Sequence, residues 1–97
     1  MRLVFHPQAR DEFTEATLYY ESKQAGLGKR FMHEVRSTTL RLPGNLELFR
    51  VVEQDIRKCR VPRFPYGLIF RPKMDTIEII AVMSLHRKPG YWQDRIE

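Results

Sequence analysis

The chain has 97 residues, 42% of them hydrophobic and 30% charged, with a net charge of +5 and a pI near 9.7. These values fit one small globular domain spanning 1–97 and exclude a disordered chain. No apolar run approaches the roughly 18–20 residues a membrane-spanning helix needs, and the apolar part of Met1–Pro7 is too short for a signal peptide. With a single cysteine, Cys59, no internal disulfide is possible, so the expected location is cytoplasmic.

In chain order, Arg2–Phe5 reads as a first strand. His6-Pro7 opens a helix, since proline suits the first helical position. Asp11, Glu12 and Glu15 are expected to complement the helix dipole. Ala9, Phe13, Ala16 and Tyr20 recur at spacings of 4, 3 and 4 and form one apolar stripe. This helix should run to about Lys23, where Ala25-Gly26-Leu27-Gly28 turns the chain. A second stripe, Leu27, Phe31, Val35, Thr38 and Leu42, predicts an antiparallel second helix stopped by Pro43-Gly44. Lys29, Arg30, His33 and Arg36 fall off that stripe and are expected to face solvent.

Leu46–Ile56 is open between a short strand and an ordered loop. From Arg57 the period becomes two: Cys59 and Val61 alternate with Lys58 and Arg60, then Tyr66, Leu68 and Phe70 with Gly67, Ile69 and Arg71. Pro72–Asp75 reads as a turn. Thr76–Met83 is apolar on both faces apart from Glu78, the pattern of an interior strand. Pro89 begins a short closing helix through Arg95. The expected architecture is α+β, in the order β-α-α-β-β-β, with an αα-hairpin packed on an antiparallel sheet.

The charge is uneven. Residues 1–49 carry seven basic and six acidic residues, a net +1, whereas residues 50–97 carry ten and six, a net +4. The excess centres on Arg57–Arg71 and points to an anionic partner, either nucleic acid or acidic protein. Arg57, Lys58, Arg60, Arg63, Arg87 and Lys88 are the candidate contacts. His6, His33 and His86 are far apart and match no zinc spacing, and Gly26-Leu27-Gly28 lacks the lysine and hydroxyl of a phosphate loop, so neither metal nor cofactor is expected. Metal-free RNA cleavage would need cations and a proton carrier: Arg60, Arg63, Arg87 and Lys88 for charge, and His86, Tyr66 or Tyr91 for the proton. Tyr66 and Cys59 share apolar parity with their strands and read as core.

Four segments in order, Tyr19-Tyr20-Glu21-Ser22 through Gly28-Lys29-Arg30-Phe31, Arg63-Phe64-Pro65-Tyr66-Gly67-Leu68-Ile69-Phe70, Ile79-Ile80-Ala81-Val82 and Arg87-Lys88-Pro89-Gly90-Tyr91-Trp92, resemble the RelE/ParE toxin superfamily. The likeness is greatest to its ParE-like branch, often labelled plasmid stabilisation proteins. The resemblance implies the toxin half of a type II toxin–antitoxin pair, bound by a cognate antitoxin in a hetero-oligomer. It implies either inhibition of DNA gyrase, as in ParE-like members, or ribosome-dependent mRNA cleavage, as in RelE-like ones; some members have no established target. Ser84 stands where the related pattern often carries His, and His86 follows two residues later. Under the nuclease reading the catalytic residues would be His86, Arg63 and Arg60; the missing histidine favours the gyrase reading. A hydrophobic groove between helices and sheet is the expected seat of an antitoxin segment.

Overall fold

The computed structural model describes residues 2–96. Its elements are β1 (Arg2–Phe5), α1 (Pro7–Lys23), α2 (Leu27–Arg41), β2 (Arg50–Glu53), β3 (Ile56–Arg60), β4 (Tyr66–Pro72) and β5 (Thr76–Ser84), with single 3₁₀ turns at Leu46–Leu48 and Gln93–Arg95. The helical spans follow the sequence reading. Pro7 occupies the first turn of α1, and His6 caps it by accepting the Gln8 N–H at Nδ1, 3.1 Å away.

The connection between the helices is shaped by one carboxylate. Glu21 accepts the N–H groups of Gly26 and Gly28 at 3.0 Å, closing the left-handed turn at Gly26 and satisfying orphan donors at the start of α2. Gly28 lies so close to α1 that a Cβ there would stand 2.6 Å from the Thr17 carbonyl oxygen. Ala9 and Ala16 of α1 and Phe31, Val35, Thr38 and Leu42 of the second stripe are buried as their spacing predicts. Thr38 is tolerated in the core because its hydroxyl donates to the Glu34 carbonyl at 2.7 Å.

The sheet differs from expectation in two respects. Its order is β1-β5-β4-β3-β2, and β1 runs parallel to β5 while the other pairs are antiparallel. Leu46–Ile56, left open above, supplies a 3₁₀ turn and the edge strand β2. Periodicity marks which residues are strand but carries no information on which neighbour they meet or in which direction. The closing helix is also shorter than expected: Gln93–Arg95 makes one 3₁₀ turn.

Both sheet faces are covered. Under the hairpin lie Leu68, Phe70, Ile77, Ile79 and Val82, packed against Phe31, Val35 and Leu42. Tyr20, Phe31, Phe64 and Tyr66 meet there with ring centroids 4.9–6.1 Å apart. Ile56, Ile69, Ile80, Ala81 and Met83 form a second core on the opposite face, closed by Trp92 and flanked by Leu85, Tyr91 and Ile96. The last residues therefore act as a strap across the sheet. Glu78, the polar interruption of β5, faces Arg71 in register and accepts from its guanidinium at 2.8 Å, with Lys73 at 3.6 Å. Burial alone would raise the Glu78 carboxyl, but hydrogen bonding and charge from Arg71, aided by Lys73, outweigh it and hold it below the usual range.

Candidate functional site

β1 accompanies β5 only as far as Ile79, which accepts the His6 N–H at 2.9 Å. Beyond a register irregularity opposite Ile69 and Phe70, β5 continues to Ser84 with no strand on that side among the described residues. An open edge in a sheet interior is costly unless something occupies it. Glu12 of α1 and Arg95 of the strap do so. The Glu12 carboxylate accepts the Val82 N–H at 3.0 Å, the Tyr91 hydroxyl at 2.6 Å, and both terminal nitrogens of Arg95 at 3.0 and 2.9 Å. Arg95 also donates to the Ile80 carbonyl at 3.0 Å. The side chains of Glu12 and Arg95 are 15% and 7% exposed, which makes this a largely desolvated, forked ion pair. Burial and the hydrogen bond to Glu12 push the Tyr91 phenol well above its ordinary value, and the same carboxylate raises Arg95. Sequence reasoning assigned Glu12 to the helix dipole. It lies beyond the first turn of α1, which carries no acidic residue, and it serves the sheet edge instead. No local pattern marked this role, because its partners are 70 to 83 residues away.

The basic residues singled out in sequence occupy three separate places. The first is a cleft of about 280 Å³ beside the Glu12 cluster, lined by Glu15, Tyr19, Tyr66, Ser84, Arg87 and Tyr91 among others. The Arg87 guanidinium stacks 3.9 Å above the Tyr91 ring. Tyr66 is half-buried, and burial raises its phenol above the usual value. His86 is exposed; its N–H donates to Ser84 Oγ at 3.3 Å, and its side chain lines none of the clefts described here. Lys88 is exposed on the same loop.

The second place is the tip of the β3–β4 connection. Arg63 adopts φ +71°, a left-handed conformation unusual for a side chain of this size. Its side chain is 81% exposed and lies 3.8 Å from Glu34. With Lys29, Arg30, His33 and Phe64 it borders a cleft of about 650 Å³ at the start of α2. These α2 residues are exposed, as expected.

The third is the β2–β3 edge. Lys58 and Arg60 line a cleft of about 540 Å³ together with Arg41, Arg50 and Cys59. Cys59 is buried, and burial raises its thiol. Arg57 is half-buried and donates to the Phe49 carbonyl at 3.1 Å, so its guanidinium holds the segment before β2. Arg60, Arg63 and His86 thus border different parts of the surface and share no cleft. Among the described residues no group of three or more His, Cys, Asp or Glu is placed to hold a metal, and no helix is long and apolar enough to cross a membrane. A groove of about 310 Å³ opens between β1 and the hairpin, lined by Leu3, Phe5, Phe13 and Val35 with Arg10 and Arg36 at its rim.

No family model matches the chain, and no curated protein matches it. Among solved structures it is similar to a chain of the "Chromosomal ParDE TA system from P. aeruginosa", with a TM-score of 0.72 at 18% identity over 87% of this chain and 95% of that one. Two helices packed on a five-stranded mixed sheet match the ParE-like fold of that chain.

Proposed function

We propose that this chain is the toxin of a type II toxin–antitoxin pair, held inactive by a cognate antitoxin in the cytoplasm, and that it acts by inhibiting DNA gyrase through protein contact. The observation that carries the first part is the ParE-like fold shared with a chain of a ParDE system over nearly the whole length. The choice of gyrase over mRNA cleavage rests on the separation of Arg60, Arg63 and His86, because general acid–base catalysis needs its groups converging on one scissile phosphate. Ser84, which borders a cleft with Tyr66 and Tyr91, supplies no group that titrates near neutral pH. The antitoxin segment sits in the groove between β1 and the hairpin, where an apolar floor and the Arg10 and Arg36 rim suit an acidic amphipathic helix.

Induced expression should arrest growth, with relief on co-expression of a cognate antitoxin. Arrest accompanied by DNA breaks and SOS induction, with mRNA intact, supports the gyrase reading. Codon-positioned mRNA cuts overturn it in favour of the nuclease. Normal growth without any antitoxin overturns both and leaves a protein that only binds its partner.

A further inference from the structure

The outer face of α2 carries a run of cations that neither the core nor the ion pairs employ. Its exposed residues are Lys29, Arg30, His33, Arg36, Leu40 and Arg41. At about 100° per residue they fall within one arc of roughly 140°, opposite the buried Phe31, Val35 and Thr38. Lys29, Arg30, Arg36 and Arg41 form no ion pair among the described residues. The helix holds a single acid, Glu34, whose side chain is 19% exposed and lies 3.8 Å from Arg63. Four unpaired cations along one helix face raise the local potential and favour an anionic partner.

The β3–β4 tip extends this face. Arg63 borders one cleft with Lys29, Arg30 and His33, and its side chain is 81% exposed. A glycine would hold φ +71° without strain, so the arginine stands there at a cost to the fold. The row from Lys29 to Arg41 spans about 18 Å at 1.5 Å per residue, a length over which a DNA duplex presents about ten phosphate charges. A protein interface centres on apolar or aromatic anchors, and the one apolar residue of the arc is Leu40, near its end. Single-stranded nucleic acid is held by rings that stack its bases, and the arc has no Phe, Tyr or Trp. Nor does it expose an amide or carboxylate for the ribose hydroxyls that single out duplex RNA. With its inner side packed in the core, α2 cannot enter a groove deeply, which leaves the phosphates as the contact.

We infer that the exposed face of α2, extended by Arg63, binds duplex DNA through its phosphate backbone without reading sequence. Arg36 alone is shared with the groove between β1 and the hairpin. Binding on this face does not depend on gyrase being the target.

The test titrates the full chain into a fluorescent DNA duplex of about 20 base pairs, followed by anisotropy between about 50 and 200 mM salt. Four or five phosphate contacts predict that log K falls with log salt at a slope of about −4. Lys29→Ala and Arg30→Ala should each make the slope shallower by about one and weaken binding by about tenfold at the lower salt. A second duplex of unrelated sequence should bind equally. Lys73→Ala removes a cation on the β4–β5 turn, outside the arc, and should change affinity less than about twofold. Arg63→Gly relieves the left-handed backbone, so it should leave the fold at least as stable and still weaken DNA binding, which separates a lost contact from a lost fold. The inference is overturned if the chain does not bind the duplex, if the slope is shallower than about −1, or if Lys73→Ala costs as much as Lys29→Ala. Tighter binding of a duplex RNA of equal length also overturns it, as does displacement of the DNA by a lower concentration of polyglutamate of equal charge, the mark of an acidic protein partner.

Discussion

Replacing Glu12 with Ala removes the acceptor for Val82, Tyr91 and Arg95 at once. Arg95 then remains with a side chain only 7% exposed and one carbonyl partner, Ile80. Breaking a buried pair by removing one member costs about 3–5 kcal/mol, because the surviving charge has lost its compensation. Glu12 retains some solvent access, so the low end of that range, about 3 kcal/mol, is expected. A domain of this size holds only about 5–15 kcal/mol in total. Urea denaturation followed by far-ultraviolet circular dichroism measures the loss, and Trp92 fluorescence reports the strap, since that indole is buried on the opposite sheet face. Arg95→Met leaves the carboxylate with Val82 and Tyr91, and the double variant Glu12→Ala/Arg95→Met should be less destabilised than the two single changes together. A loss below about 1 kcal/mol for Glu12→Ala, typical of an exposed pair, or strict additivity in the cycle, would refute the view that this cluster closes the β5 edge.

Gly28→Ala should destabilise by about 1–3 kcal/mol in thermal unfolding, because its methyl would meet the Thr17 carbonyl at 2.6 Å and force the helices apart. Arg63→Gly should stabilise by roughly 1 kcal/mol by relieving the left-handed backbone, and a destabilisation would show that the contact with Glu34 outweighs the strain. Glu78 has a lowered folded-state pKa, so its contribution to stability is present above the unfolded carboxylate value of about 4.3 and is lost as pH falls through the folded one. Glu78→Gln should flatten the acid limb of a stability–pH profile, and an unchanged limb would contradict the Arg71 pairing. Under the gyrase reading, His86→Ala leaves growth arrest intact, whereas a fall in toxicity of about tenfold or more would assign it a role in the activity.

The two helices were legible because each must bury one stripe against a sheet, and a 3.6-residue period records that requirement directly in Ala9–Tyr20 and Leu27–Leu42. The interior strand β5 was legible for a related reason: both faces are covered, so apolar residues run almost unbroken through Ile79–Met83. β4 was read from its alternation as having one apolar face, yet Ile69 on its other face is buried in the second core. Leu46–Ile56 resisted reading because β2 is a short edge strand with Arg50 and Val51 exposed, and such a strand need not alternate. Among the candidate site residues, sequence correctly marked where positive charge concentrates along the chain. It could not show that Arg57 is held by the Phe49 carbonyl, that Arg63 and Arg60 border different clefts, or that Arg41 and Arg50 join Lys58 and Arg60.

Local patterning alone therefore determined the two helices and the interior strands, since burial of a periodic stripe is a property of the segment itself. Tertiary structure alone decided the parallel seat of β1, the open edge of β5 and the union of Glu12 with Arg95 across 83 residues. Strand direction and ion pairing depend on which segments meet in space. A carboxylate on an amphipathic helix looks the same in sequence whether it faces water or completes a sheet.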